Sequence, residues 1–485
     1  MEEGGWRKTS SSPSVIRYPT KIMSKFDLED TIAAVATPAG EGGIAVIRVS
    51  GPRAFEAVEP FFVSQEHEKL NTTPPNTVRW GKFMDPAGLP VDQVLVSCFR
   101  APRSYTGQDV IEISCHGGFA VTKKILGLLL GARVRHAEPG EFTRRAFLNG
   151  KLDLTQAEAV LDLIHAKSER SLDIAIRQLS GSLSRTLKEL KDRLMRLLAH
   201  MEAHLDFPEE DLEVDVKTGM QEQFTKVQEK IRSLIAGFER NQLIREGMLV
   251  TLVGKPNVGK SSLFNALLER DRALVSDLPH TTRDHLEEAL EIGGFYVRLR
   301  DTAGLVSTPE HPLDKMGMDQ TIGALRESHA VLYVVDGSAP FEEADRHVFQ
   351  LIPQDKKVLV LVNKSDLAFQ AGGKTLKEFL GGKSQVRVSA KTREGFGELE
   401  AKIVGCVEQG TSEAGEQITK MRHKKALEVA REALQRAERS FQTKMSLEFV
   451  TPDLREGLEA MKELTGEVYS EDLLDIIFSE FCIGK

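Results

Sequence analysis

Residues Gly254-Lys255-Pro256-Asn257-Val258-Gly259-Lys260-Ser261 fit the phosphate-binding loop pattern G-x-x-x-x-G-K-[ST]. The apolar run Leu249 to Val253 leads in and Ser262-Leu263-Phe264-Asn265-Ala266 leads out, which predicts a strand, a loop and a helix. Such a loop aims backbone N–H groups and a helix N-terminus at phosphate oxygens. The glycines let the backbone wrap closely, and Val258, Gly259 and Ser262 fall within that wrap. Lys260 can neutralise the β- and γ-phosphates, and Ser261 can offer its hydroxyl to Mg²⁺.

Further motifs follow in order, each at the end of an apolar run. Phe295 to Arg300 delivers Asp301-Thr302-Ala303-Gly304, a D-x-x-G that puts Asp301 near the Mg²⁺ shell and the Gly304 amide near the γ-phosphate. The Gly293-Gly294 pair before it reads as a hairpin turn. Val358 to Val362 delivers Asn363-Lys364-Ser365-Asp366, and Val386 to Val388 delivers Ser389-Ala390-Lys391. In N-K-x-D the Asp carboxylate accepts from N1–H and the exocyclic amine of guanine; adenine lacks that donor pair and would leave a carboxylate unpaired. Together these motifs specify a GTP site. The loop Ser276-Asp277-Leu278-Pro279-His280-Thr281-Thr282-Arg283-Asp284 lies between them, and Thr282 is expected to complete the Mg²⁺ shell.

The elements that must hold this site form only part of the chain. Its 485 residues exceed one core. The 41% hydrophobic and 28% charged content is ordinary for a soluble globular protein, and no apolar run approaches the ~20 residues of a membrane span. Cys98, Cys115, Cys406 and Cys482 are scattered, which suggests neither a zinc site nor a disulfide framework and fits a reducing cytosol. With a net charge of −8, any nucleic acid must meet a local basic surface. Residues 1–23 read as a disordered tail or an over-extended start with Met23 as the alternative; an organelle address is the other reading, weakened by Glu2 and Glu3.

Short β-rich runs at 31–37, 43–50, 91–99 and 110–114 and a helical run at 120–130 predict a small α+β domain over 24–146. From Leu152 onward Leu161, Ile164, Leu172, Ile176, Leu179, Leu183, Leu187, Leu190, Leu194, Leu197 and Met201 form one helical stripe, with Gly181 as a bend. Further helices are expected at 220–243, 420–441 and 454–478. The reading is an α+β multi-domain chain. A discontinuous all-α domain, 147–246 and 412–485, carries an inserted Ras-like α/β domain at 247–411.

At T-T-R-D, with P-N-V-G-K-S before it and D-T-A-G-L after it, the inserted domain resembles the Era-like GTPases. Other stretches resemble the tRNA modification GTPase family MnmE (TrmE): Asp30-Thr31-Ile32, Ala36-Thr37-Pro38, Gly42-Gly43-Ile44, Arg48-Val49-Ser50-Gly51, Ser104 to Asp109, His116-Gly117-Gly118, Pro139 to Leu154, and the closing Cys482-Ile483-Gly484-Lys485. The likeness spans residues 28–485.

That resemblance implies a GTPase that modifies the wobble uridine of tRNA at C5, adding a (carboxymethyl)aminomethyl group with an FAD-containing MnmG (GidA) partner in a heterotetramer. It implies an N-terminal α/β domain, similar to folate-dependent aminomethyltransferases, that dimerises and binds 5-formyltetrahydrofolate or a related folate. Matched by motif, the folate contacts are Arg48, Glu112, Lys151 and Lys485. The family is also K⁺-activated; the matching ligands are Asn257, Ser276, Leu278 and Thr281. Two departures stand out. Pro279-His280 replaces the family's glycine before T-T-R-D, and Asp314 occupies the place of the second-switch glutamate that activates the attacking water; His311 is the other candidate. Cys482 is open as nucleophile or site-lining thiol, and Arg422-His423-Lys424-Lys425 as tRNA contact or solvated helix face. A ribosome-assembly GTPase is one rival; a folate-dependent one-carbon transferase with a regulatory GTPase domain is another. Cytoplasmic location and no membrane partner are expected.

Overall fold

A computed structural model describes residues 28–65, 68–206, 214–271, 287–302, 312–371, 376, 379, 382–408, 417–443 and 445–485. The chain divides into a unit of Met1–Lys151 with Ser470–Lys485 and a unit of Leu152–Tyr469.

The first unit is built on a seven-stranded sheet. In chain order its elements are β1 (Ile32–Val35), β2 (Gly42–Ser50), α1 (Ala54–Val58), β3 (Phe62–Ser64), β4 (Thr77–Met84), β5 (Pro90–Phe99), β6 (Val110–Gly117), α2 (Phe119–Gly131), β7 (Arg135–His136) and α3 (Glu141–Leu148). The sheet order is β3-β4-β5-β6-β2-β1-β7, antiparallel except for the β1–β7 pair. Alternation explains its burial: Ile47, Val49, Val94, Val96, Ile111 and Ile113 pack with α1 and with Ile125 and Leu129 of α2. Strands β3 and β4 were not read from the sequence. In β4 Val78, Trp80 and Lys82 lie exposed on one face, and Arg79 alternates with them on the side of buried Gly81 and Phe83, so a charged residue interrupts the apolar alternation.

In the second unit the helices are α4 (Leu154–His165), α5 (Glu169–Leu179), α6 (Ser182–Asp206), α7 (Val214–Ala236) and α8 (Phe238–Glu246). The chain then enters β8 (Met248–Val253), α9 (Lys260–Asp271), β9 (Glu287–Ile292), β10 (Phe295–Asp301), α10 (Pro312–Glu327), β11 (Ala330–Asp336), α11 (Glu343–Gln350), β12 (Lys357–Asn363), β13 (Gln385–Arg387) and α12 (Phe396–Glu408). It returns through α13 (Met421–Gln442) and α14 (Thr451–Thr465). The single stripe expected from Leu152 is three helices. Asp153 and Ser168 open α4 and α5 with capping boxes, and Gly181, at φ 78°, breaks the chain before α6. Leu183, Leu187, Leu190, Leu194, Leu197 and Met201 are buried as expected, whereas Ile164, Leu172 and Ile176 stay exposed. The expected 220–243 helix likewise divides, at Gly237.

The nucleotide-type sheet has the order β13-β12-β11-β8-β10-β9, parallel except for the edge hairpin β9–β10. Both faces are covered, so β8 is buried at every position and β11 at all but its last. Val331, Tyr333 and Val335 point to one core, Ala330, Leu332 and Val334 to the other.

The last helix, α15 (Glu471–Ser479), departs from the expected grouping of 412–485 with the helical domain. Gly466, at φ 77°, ends α14, and the segment beyond Ser470 packs in the first unit. Buried Arg144 on α3 pairs with Glu471 and, at 2.6 Å, with Asp475. A Cβ on Gly140 would meet the Phe478 carbonyl at 2.6 Å, so only glycine lets α3 and α15 approach this closely.

Candidate guanine-nucleotide and folate sites

The loop after β8 takes its path from a few backbone demands. A Cβ on Gly254 would meet the Val334 carbonyl at 2.4 Å, and one on Gly259 would meet the Asn363 amide nitrogen at 2.3 Å. Asn257 sits exposed at the tip in the left-handed region, φ 64°, a conformation asparagine tolerates better than most residues. The Lys260 ammonium is folded back onto the carbonyls of Gly254 (3.2 Å) and Lys255 (3.0 Å). Burial lowers its pKa, with Asp301 pulling the other way. An ammonium this dehydrated is poised for an anion.

Beside it, Ser261 Oγ donates to Asp301 Oδ2 at 2.7 Å, while Asp301 Oδ1 is buried without a hydrogen-bond partner. Thr302 Oγ1 donates to the Leu252 carbonyl (2.7 Å), which anchors the end of β10 to β8. A hydroxyl and an unsatisfied carboxylate oxygen fit the coordination and outer shell of a magnesium ion. Among the described residues no group of three His, Cys, Asp or Glu could hold a metal by itself.

At the other end, Asn363 bridges the motifs: its Nδ2 donates to the Val258 carbonyl (2.8 Å) and its Oδ1 accepts from Ala390 N–H (3.2 Å). Ser389 Oγ donates to Asp366 Oδ1 at 2.7 Å and accepts from Thr392 N–H at 3.1 Å, fixing the carboxylate. Lys364, at φ 64°, reaches Asp336 Oδ2 at 2.5 Å; Lys391 is exposed on the adjoining turn. Sequence reasoning missed the role of Asp336. Its signal is its place at the end of β11, directly opposite Asn363 in the register.

The structure therefore brings Val258, Gly259, Lys260, Ser261, Asp301, Thr302, Asn363, Lys364, Asp366, Ser389 and Ala390 to one edge of the sheet. Ser262 lies exposed in the first turn of α9. Ser276, Asp277, Leu278, Thr281, Thr282, Ala303, Gly304 and His311 lie outside the described residues. Asp314 falls in the first turn of α10, and its side chain is outside them too.

Comparison with known proteins identifies the frame. The MnmE helical domain matches residues 154–482, and the GTP-binding protein TrmE N-terminus matches residues 31–151. The tRNA modification GTPase MnmE of Acetivibrio thermocellus is 41% identical over 94% of this chain and 99% of its own length. That of Moorella thermoacetica is 45% identical over 94% and 100%. The chain belongs to the MnmE (TrmE) family of tRNA modification GTPases. Among solved structures, the FeoB G-domain from Methanococcus jannaschii aligns at 27% identity over 33% of this chain and 98% of that one, with a TM-score of 0.27. As a member of the MnmE family the chain is a GTP-hydrolysing enzyme.

The residues matched to the MnmE family's folate contacts fall in the first unit. Arg48 and Glu112 are cross-strand partners on β2 and β6, paired at 2.8 Å. The guanidinium also lies over the rings of Tyr105 (5.2 Å) and Phe142 (5.5 Å) and donates to the Gly484 carbonyl at 3.2 Å. The C-terminal tail is threaded in: Phe142 N–H donates to the Lys485 carbonyl, and a Cβ on Gly484 would meet the Val35 carbonyl at 2.4 Å. Burial lowers the Lys485 pKa, Arg48 lowers it further, and Glu112 opposes both. Lys151 stands apart, its ammonium on the Pro102 carbonyl at 3.1 Å. Two cations, a carboxylate and an aromatic ring suit a ligand with a flat heterocycle and carboxylates.

Cys482 is exposed. The expected basic cluster is largely committed: Arg422 and buried His423 both bind Glu158, and Lys424 pairs with Glu239, leaving Lys425 exposed. The open tRNA-contact reading thus loses most of its charge to internal pairs.

Proposed function

We propose that this MnmE-family GTPase couples GTP hydrolysis to C5 modification of the tRNA wobble uridine, adding a (carboxymethyl)aminomethyl group with an FAD-containing MnmG-type partner. The reading rests on the family assignment and on one observation above others. The Ser261–Asp301 hydrogen bond, with Asp301 Oδ1 unsatisfied, stands beside a buried lysine at a strand-loop-helix junction. In this reading Lys260 receives the β- and γ-phosphates on the amides around Val258, Gly259 and Ser262, and Asp366 accepts from guanine beside Ser389, Ala390 and Lys391. Ser261 and Thr282 would hold Mg²⁺ beside Asp301, and the ion would supply charge that offsets the phosphates. Asp314 is assigned the attacking water. Asn257, with Ser276, Leu278 and Thr281, is assigned K⁺, which stands in for an arginine finger.

Arg48, Glu112, Lys151 and Lys485 are assigned to a formyl-tetrahydrofolate. A homodimer is supported by an apolar stripe on the outer face of β3 to β5, where Val63, Val78, Trp80 and Leu95 are each 46–59% exposed. Among the described residues no helix is long and apolar enough to cross a membrane; a cytoplasmic location remains part of the proposal.

The deciding experiment is mass spectrometry of wobble nucleosides in tRNA from a strain lacking the gene. Loss of C5-modified uridine supports the reading, and unchanged nucleosides overturn it.

A further inference from the structure

Lys255 is the second residue of the phosphate loop, a filler position in the bare motif. Its side chain leaves the loop for the start of α11, where the ammonium pairs with Asp345 at 2.8 Å and Glu342 at 3.1 Å. An exposed ion pair would contribute little. This one differs, because Asp345 is only 4% exposed in its side chain and is held from several directions. Asp345 Oδ2 also accepts from Glu342 N–H at 2.9 Å, and the Asp345 carbonyl accepts from the hydroxyl of fully buried Tyr333 at 2.7 Å. Burial pushes the Lys255 pKa down, but Asp345 and Glu342 outweigh that and leave it raised.

The main chain of the same residue faces the nucleotide site. The carbonyls of Lys255 and Gly254 are the acceptors on which the Lys260 ammonium rests. We propose that Lys255 is a positioning residue: by fastening the loop to Asp345 it fixes the two carbonyls that hold Lys260 ready for the phosphates of GTP. This rests on the assignment of Lys260 as the phosphate ligand. Two effects act in the same direction when the pair is cut. The Gly254–Lys255 turn gains freedom that binding must remove, and a buried carboxylate beneath the phosphate loop loses its countercharge.

The test is steady-state GTP hydrolysis by the full chain. Lys255→Met keeps the aliphatic stem and removes the charge; it should raise KM about tenfold while kcat stays within about twofold, the signature of lost ground-state and transition-state binding together. Lys255→Arg should restore most of the affinity, and Asp345→Asn should reproduce the Lys255→Met effect. The double variant should be no worse than either single one, because both cut the same link. Should Asp345→Asn fail to fold, the Lys255→Met and Lys255→Arg pair still decides, since the Lys255 side chain is partly exposed and both replacements keep its aliphatic stem. Unchanged KM in Lys255→Met, failure of arginine to rescue, or additive effects in the double variant would each overturn the proposal. Lys260→Ala is the control: if it leaves GTP binding intact, the phosphate-site assignment fails. If it abolishes binding while Lys255→Met does nothing, only the positioning role fails.

Discussion

Glu158 and Asp162 lie one helical turn apart on α4, and each carboxylate grips chain that flanks the nucleotide domain. Asp162 Oδ1 accepts from Arg245 Nε at 2.9 Å, just before β8, and pairs with Lys420 at 3.2 Å, where the chain returns. Glu158 accepts from Arg422 at 2.9 Å and His423 at 2.7 Å. Residues i and i+4 share a helix face, so one stretch of α4 fastens both crossings of the inserted domain.

Removing one partner from such a buried pair leaves the other uncompensated, so Glu158→Gln is expected to destabilise the chain by about 3 kcal/mol at neutral pH. Burial opposes ionisation of Glu158, but His423 and Arg422 overcome it and hold the carboxyl far below the usual range. Burial also lowers the His423 pKa, with Glu158 pulling the other way, and its Nε2 lies 2.7 Å from Glu158 Oε2. A depressed carboxylate contributes stability that is present above its unfolded value of about 4.3 and lost as pH falls toward the folded one. Urea unfolding of both proteins between pH 3 and 7, on an order-of-magnitude scale of 1 kcal/mol, checks this. The gap should be widest at neutral pH and narrow as pH falls below about 4; a variant as stable as the parent at pH 7 would rule the clasp out.

Much of the nucleotide site was legible because its motifs sit at strand ends, where a parallel sheet places consecutive loops on one edge. Ser261, Asp301, Asn363, Asp366 and Ser389 were each named from spacing, and their hydrogen bonds now join them. What spacing could not reveal were partners from elements outside the motif. Asp345 and Asp336 look like ordinary surface acids in sequence, and only the fold brings them to Lys255 and Lys364. The run 454–478 reads as one helix by apolar period, but Gly466 ends it and Arg144, far away in sequence, captures the second half. Arg48 and Glu112 were carried by likeness to the family; their cross-strand pairing followed from a register that no local pattern encodes.

Asp301 offers a direct test of the metal assignment. Asp301→Asn keeps the shape and the bond to Ser261 but removes the charge from the unsatisfied oxygen. GTP turnover is expected to fall by about a hundredfold or more, with the Mg²⁺ titration shifted to higher concentration. Nucleotide binding measured in EDTA should change little. Equal Mg²⁺ dependence in the two proteins would remove Asp301 from the shell.

Asp366→Asn tests base reading. The Asp366 carboxylate is held by Ser389, so an amide placed there presents a donor where guanine also donates. GTP kcat/KM should drop by roughly 10²-fold or more, and xanthosine triphosphate should become the better substrate. Retained GTP discrimination would mean the base lies elsewhere.

Asn257 carries the potassium assignment among the described residues, exposed at the loop tip. GTP turnover in KCl should exceed that in NaCl at equal ionic strength, and Asn257→Ala should erase the difference. Equal rates for the unsubstituted chain would end the potassium proposal.

Arg48 joins the folate assignment to the C-terminal tail, which gives its replacement two independent readouts. Arg48→Met removes the pair with Glu112, the ring contacts and the bond to the Gly484 carbonyl. Affinity for 5-formyltetrahydrofolate, measured by calorimetry on the full chain, should fall more than about tenfold. The tail should loosen as well, seen as faster amide exchange at Ile483 to Lys485. Lys485 sharpens the test through pH. Its pKa is lowered by burial and by Arg48, so its positive charge, and folate affinity with it, should be lost as pH rises at values below the ordinary lysine range near about 10.4. In Arg48→Met the neighbouring cation is gone, and the remaining pH dependence should move upward. Folate affinity that is unchanged in Arg48→Met would dissociate this cluster from the cofactor, whatever the tail does.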